Sequence, residues 1–239
     1  MKKYTHLFFD LDNTLWDFEK NSKIALEKTL LHFRLDKKGV GFENFYNAYS
    51  SHNKYLWSEY RNGKVVKKEL KRLRFEQTFN ELGITGIDPL EMNLYYLTEM
   101  PFQTHLVVGA VELLNYLTSK SYQLFIITNG FREVQLQKLE KSGLKKYFTK
   151  VYISEDIKAP KPAQKIFEYA IKSSNAKKEA SLMVGDDFET DIVGAVQFGI
   201  SAAWLNAAAN GFPGSPFKTN STNIQIYSVH LLNELKNML

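Results

Sequence analysis

Two aspartates, Asp10 and Asp12, stand two residues apart directly after the apolar run Leu7-Phe8-Phe9. A short apolar run stopped by polar residues is the pattern of a strand buried in a parallel sheet. Open α/β sheets carry their chemistry beyond the carboxyl ends of such strands. Both carboxylates would leave that end together, close enough to share one cation, because two such charges repel unless a proton or a metal lies between them. The competing reading of Asp12-Asn13-Thr14 is a turn or a helix cap.

Three later stretches carry residues suited to an anionic group. Thr128-Asn129-Gly130 follows the run Leu124-Phe125-Ile126-Ile127 and offers a hydroxyl and free backbone N–H groups at the entry to a helix. Asn-Gly is also a common turn. Lys161-Pro162 precedes an expected helix from Ala163, so the lysine stands where it reaches anionic oxygens; Lys158 is a rival three residues earlier. Gly185-Asp186-Asp187 and Asp191 follow the run Leu182-Met183-Val184. Asp186 then occupies the same kind of strand end as Asp10, and an aspartate buried there needs a partner. Asp191 falls in the first turn of the next helix, where the macrodipole alone would favour it.

Each stretch alone is weak, but their order is informative. Carboxylates from two strands hold Mg²⁺ well, since that ion takes oxygen ligands and keeps several waters. Lys161 and Thr128 would face a phosphate on the far side of the metal. Asp10 could then attack phosphorus, dividing a slow hydrolysis into two steps through an aspartyl-phosphate. Asp12 would protonate the leaving alkoxide and afterwards activate water.

The elements needed to bring these groups together alternate along the chain. Strands are expected near residues 122–128, 151–153, 180–184, 201–205 and 224–227, with helices near 109–117, 132–141, 163–173 and 191–198, and a C-terminal helix carrying Leu231, Leu232 and Leu235. Alternation of this kind implies right-handed βαβ units and a parallel sheet with helices on both faces. Between the first strand and the second lies a helical, aromatic-rich block over residues 17–100, which divides the chain into a core of residues 1–16 and 101–239 and an inserted cap. The block holds a basic run, Arg61, Lys64, Lys67, Lys68, Lys71, Arg72 and Arg74. Most of it reads as a solvated helix face, with Arg74 as a candidate for attracting a phosphorylated substrate.

Composition narrows the class. Of 239 residues, 44% are hydrophobic and 24% charged, as in ordinary globular chains. Cysteine is absent, which excludes disulfides, thiolate zinc sites and a cysteine nucleophile and suits a cytoplasmic location. No apolar stretch approaches the roughly 18 residues of a membrane span. The basic start, Met1-Lys2-Lys3, is followed too soon by Asp10 and Asp12 for a signal peptide. A net charge of +5 is too small and scattered to argue a nucleic-acid partner.

The ordered set resembles the haloacid dehalogenase-like (HAD) hydrolase superfamily over nearly the whole chain. Asp10-x-Asp12-x-Thr14 is similar to its first motif, Thr128 to its second, Lys161-Pro162 to its third, and Gly185-Asp186-Asp187 through Asp191 to its fourth. The resemblance implies a Rossmann-like three-layer core with a helical cap inserted after the first strand. It also implies Asp10 as nucleophile, Asp12 as acid/base, and Mg²⁺ on Asp10, the Asp12 carbonyl and Asp186, with Asp187 and Asp191 as alternative or outer supports. The surroundings Ile126-Ile127-Thr128-Asn129-Gly130-Phe131, Ile153-Ser154-Glu155, Ile166-Phe167, Trp204-Leu205-Asn206 and, in the cap, Leu73-Arg74-Phe75 resemble the pyrimidine 5′-nucleotidase branch. That branch dephosphorylates nucleoside monophosphates.

Asp12 argues against a dehalogenase, which attacks carbon and carries no acid at that position. A phosphatase for phosphoglycolate or a sugar phosphate, or a phosphomutase, shares the core motifs. A non-catalytic binding protein would have no use for Asp12. Trp16, Phe18 and the cap tyrosines are candidates for stacking a base, and equally for packing.

Overall fold

The computed structural model describes residues 3–206 and 224–239. Residues 1–2 lie outside them, as does the stretch 211–216, whose spacing of Gly and Pro in the sequence leads one to expect a loop. Two compact units divide the chain: Met1–Phe18 with Thr104–Leu239, and Glu19–Gln103.

The larger unit is built on a parallel sheet. Its strands are β1 (His6–Phe9), β2 (Gln123–Thr128), β3 (Lys150–Ile153), β4 (Ser181–Gly185), β5 (Ser201–Leu205) and β6 (Ile226–Val229), in the order β3-β2-β1-β4-β5-β6. Leu7, Phe8 and Phe9 are all 0% exposed, so both faces of β1 are covered, as its unbroken apolar run requires. On one face, Phe8, Phe125, Ile127, Tyr152 and Met183 pack with Ile166, Phe167 and Ala170 of the helix Gln164–Ser173 and with Ala195 and Val196. This is a Rossmann-like α/β core.

Register fixes where the strand ends meet. Phe9 pairs with Ile126 on one side and Val184 on the other, and Thr128 pairs with Ile153. Strand order reverses between β2 and β4, with β1 central, so Asp10 emerges at the switch point where α/β sheets open a crevice.

The structure departs from the sequence reading in several places. The last strand is Ile226–Val229, two residues later than expected. The C-terminal turn Leu232–Asn237 is 3₁₀ rather than α. Three residues per turn eclipse positions i and i+3, so Leu232 and Leu235 are buried together while Leu231 is left exposed. Ser154–Ile157 forms a short helix that the reading left out. Asp191 lies in a π-helical turn, Phe188–Val193, ahead of the helix Gly194–Phe198.

The smaller unit consists mainly of four helices: α1 (Phe18–His32, whose first residue belongs to the larger unit), α2 (Phe42–Arg61), α3 (Lys67–Leu82) and α4 (Pro89–Glu99). Gly83 closes α3 in the left-handed conformation, φ 65°. Asp88 caps α4 by accepting a hydrogen bond from Leu90 N–H at 2.9 Å. Phe45, Tyr49, Phe75 and Tyr96 are buried together in the unit, Phe45 stacked on Tyr49 and Tyr96 edge-on to both Tyr49 and Phe75.

Candidate active site

Four strand ends of the larger unit bring their polar residues together. Asp10 follows β1, and its backbone N–H donates to Val184 O at 2.9 Å. The Lys161 ammonium lies 2.5 Å from Asp10 Oδ1 and 2.6 Å from Asp191 Oδ1, and donates to Ile127 O at 2.8 Å. Lys161 is 2% exposed and Asp191 0%. Lys158, the rival, is exposed with φ 54°. Lys161 is held by its own backbone: its N–H donates to Asn129 Oδ1 at 2.8 Å, and Asn129 Nδ2 donates to its carbonyl at 3.0 Å. The side chain of Asn129 is therefore turned onto Lys161.

Asp10, Asp186 and Asp191 each offer a carboxylate oxygen, all within 4.8 Å of one another. Thr14 Oγ1 donates to Asp186 Oδ1 at 3.0 Å. Asp187 caps the π-turn, accepting from Thr190 N–H at 3.0 Å, while its own N–H donates to Asp191 Oδ2 at 3.2 Å. Gly185 has a spatial role. A Cβ there would lie 2.2 Å from Asp191 Oδ2, so only glycine lets that carboxylate pass beneath the strand end.

The carboxylate of Asp12 is not part of this group. Lys138 Nζ donates to Asp12 Oδ1 at 2.6 Å, and Gln135 Nε2 donates to Asp12 Oδ2 at 2.9 Å and to Thr128 Oγ1 at 2.7 Å. The expectation that the Asp10 and Asp12 carboxylates share one cation is corrected accordingly: the neighbours of Asp10 are Asp186 and Asp191. The reason is that both oxygens of Asp12 are taken by the helix after β2, Arg132–Lys141. Gln135 and Lys138 were missed in the sequence. They fall at buried positions beside Val134 and Leu139, a helical stripe in which a glutamine and a lysine are out of place unless partnered. Trp16 is fully buried with the Lys138 ammonium 4.2 Å from its ring centroid, which leaves that ring packed rather than open to a base.

The electrostatics are those of too many carboxylates for one lysine. Burial pushes the Asp10 carboxyl well above its ordinary range, and Lys161 only partly opposes this. Burial, then the charge of Asp191, pushes Asp186 up to about 7. Asp191 is also raised by burial. Burial opposes the Lys161 charge, but Asp10 and Asp191 outweigh it and hold the ammonium above its usual range. Three close carboxyls and one firmly protonated lysine leave negative charge over, so without a cation a proton must be shared among them. An all-oxygen donor set with that excess charge fits a hard divalent cation such as Mg²⁺.

In the smaller unit Arg74 is 2% exposed. Its Nε donates to Asn93 Oδ1 at 2.9 Å, its Nη1 to Asn53 Oδ1 at 3.2 Å, and its guanidinium lies over the rings of Tyr49, Phe75 and Tyr96. Within that unit it acts as a core residue. Further along the basic run, Arg72 pairs with Glu69 at 2.7 Å and Glu76 at 2.5 Å, the solvated-face behaviour expected of it.

A parallel sheet whose central strand ends in a buried carboxylate, flanked by a lysine and further acidic groups that follow neighbouring strands, is the arrangement of a class of hydrolytic enzyme. The profile of the haloacid dehalogenase-like hydrolases matches residues 7–205, and the chain belongs to that family. It is 35% identical over 206 residues to the pyrimidine 5′-nucleotidase YjjG of Escherichia coli, covering 86% of this chain and 87% of that protein. It is 33% identical to the pyrimidine 5′-nucleotidase PynA of Streptococcus pneumoniae, covering 85% and 84%. Among solved structures, the HAD-hydrolase YfnB of Bacillus subtilis, crystallised with magnesium, superposes with a TM-score of 0.85 at 26% identity, covering 100% of this chain and 99% of that one.

Proposed function

We propose that the protein is a magnesium-dependent phosphatase working through an aspartyl-phosphate on Asp10, with nucleoside 5′-monophosphates, pyrimidine ones foremost, as substrates. The observation that carries the reading is the Lys161 ammonium 2.5 Å from Asp10 Oδ1, beside Asp186 and Asp191. Asp10, Asp186 and Asp191 would hold the metal, with the Asp12 carbonyl as the further ligand implied by the family resemblance. When bound, magnesium supplies positive charge that offsets the carboxylates and the phosphoryl oxygens.

In this reading an Asp10 oxygen attacks phosphorus, the ester P–O bond breaks, and its electron pair goes to the leaving alkoxide. Asp12 gives that alkoxide a proton, then takes one from the water that attacks the aspartyl-phosphate. Lys161 and Thr128 hold phosphoryl oxygens, and the N–H of Gly130 belongs to the same turn. Asn129 keeps Lys161 in place through its backbone. The nucleotide preference is supported by the named relatives and by the motif surroundings.

The test is a panel of nucleoside monophosphates, sugar phosphates and phosphoglycolate assayed for phosphate release with magnesium and with EDTA. Pyrimidine monophosphates are expected to give the highest kcat/KM, and Asp10→Asn to reduce it to background. A sugar phosphate preferred by more than tenfold would remove the nucleotidase reading. Full activity in EDTA would remove the metal.

A further inference from the structure

The amide of Gln135 joins two parts of the proposed site. Its Nε2 donates one hydrogen to Asp12 Oδ2 at 2.9 Å and the other to Thr128 Oγ1 at 2.7 Å. Asp12 is the proposed acid/base and Thr128 a proposed phosphate contact. Gln135 is 1% exposed, and among the described residues its Oε1 has no partner. A buried amide with an unsatisfied oxygen is costly, so the position is held for what its nitrogen does. While Asp12 is ionised, turning the amide around would aim Oε1 at a carboxylate that has no hydrogen to donate.

The consequence for Thr128 follows from counting lone pairs. Thr128 Oγ1 accepts from Gln135 Nε2 and from Gly130 N–H at 3.2 Å. A hydroxyl has two acceptor sites and one donor. With both acceptor sites filled, the hydroxyl hydrogen is left to donate, which is the role needed against a phosphoryl oxygen. The consequence for Asp12 is directional. Lys138, one helical turn from Gln135 on the same face, takes Oδ1 at 2.6 Å, so the carboxylate plane is set by two residues of one helix.

The space for this amide is made by Gly130. A Cβ at Gly130 would lie 2.4 Å from Gln135 Cδ and 2.5 Å from Nε2. Gly130 does not have a positive φ, so alanine fits its backbone and the clash falls on the Gln135 side chain.

We propose that Gln135 is a positioning residue that aims Asp12 at the leaving group and makes Thr128 an obligate donor to the phosphate. This rests on the phosphatase reading above.

The experiment compares wild type, Gln135→Met, Gln135→Glu and Gly130→Ala on two esters. p-Nitrophenyl phosphate has a leaving group that departs without a proton; a nucleoside 5′-monophosphate has an alkoxide that needs one. In Gln135→Met and Gly130→Ala, kcat/KM for the alkyl ester is expected to fall at least tenfold more than for the aryl ester. The Ki of inorganic phosphate should rise several-fold, and the Tm should stay within a few degrees. Gln135→Glu offers an acceptor to Thr128 and repels Asp12, and should be worse than Gln135→Met on both readouts. Equal losses on the two esters with an unchanged phosphate Ki would show a merely structural residue and overturn the proposal, as would wild-type constants in Gln135→Met. If Gln135→Met does not fold, Gly130→Ala decides on the same ratio. A wild-type protein that hydrolyses neither ester overturns the phosphatase reading itself, an outcome visible before any variant is made.

Discussion

Asn129 and Lys161 grip each other through paired hydrogen bonds, Lys161 N–H to Asn129 Oδ1 at 2.8 Å and Asn129 Nδ2 to Lys161 O at 3.0 Å. They lie 32 residues apart, at the ends of different loops. The pair delivers an ammonium to Asp10 with its backbone already fixed. Asn129→Ala removes both bonds, worth about 1–3 kcal/mol together. It should lower kcat roughly tenfold or more by loosening Lys161, since misplacement on the order of 1 Å is costly in such sites. Phosphate-release kinetics alongside a denaturant melt checks this. Unchanged kcat with reduced stability would show that the pair only holds the loops.

Gly185→Ala brings a Cβ to 2.2 Å from Asp191 Oδ2, against a side chain that is fully buried and paired with Lys161. Overpacking of this kind costs about 1–3 kcal/mol. The variant should melt lower and bind magnesium more weakly, read by thermal denaturation with and without the ion. Gly83→Ala is strained by φ 65° but meets no atom within 4 Å, so it should lose stability without loss of magnesium affinity.

Metal removal and pH are linked through Asp186. Its carboxyl, ordinarily near 3.8, is pushed up to about 7 in the metal-free protein. The folded state then holds more protons than the unfolded state between those values, and this contribution to stability is present at low pH and lost as pH rises through 7. Magnesium must displace the proton, so its affinity falls as pH falls below 7. The increase in Tm on adding magnesium should be larger at pH 8 than at pH 6, and binding should release protons, both measurable by calorimetry in buffers of different ionisation enthalpy. An equal increase at both pH values would contradict the assignment of Asp186 to the metal.

Arg74→Met separates two roles for a buried guanidinium. Asn53 and Asn93 would lose their donors, and the loss of stability should be about 2–4 kcal/mol, as for other breaks in buried charged networks. Urea melts give that number. If KM for a nucleoside monophosphate rises tenfold while the urea midpoint is unchanged, Arg74 acts on substrate rather than on the core.

Much of the architecture is local in origin. Apolar runs such as Leu7-Phe8-Phe9 and Leu182-Met183-Val184 can be satisfied only inside a sheet covered on both faces, and the polar residues after them mark the strand ends. Asp10, Thr128 and Asp186 are legible for that reason, and Lys161 from its place beside Pro162 ahead of a helix. What the chain order could not convey was the direction in which side chains turn after the strands stop. Asp12 turns to Gln135 and Lys138, more than a hundred residues away, and its place beside Asp10 goes to Asp191 from a π-turn. Asn129 turns onto a backbone, and Arg74 lies within the core of its unit. Hydrophobic patterning along the sequence positions elements, because burial depends on the period of each element by itself. Hydrogen bonds and ion pairs among buried polar groups depend on which residues packing brings within about 3 Å, and that was decided only when the strands had taken their order.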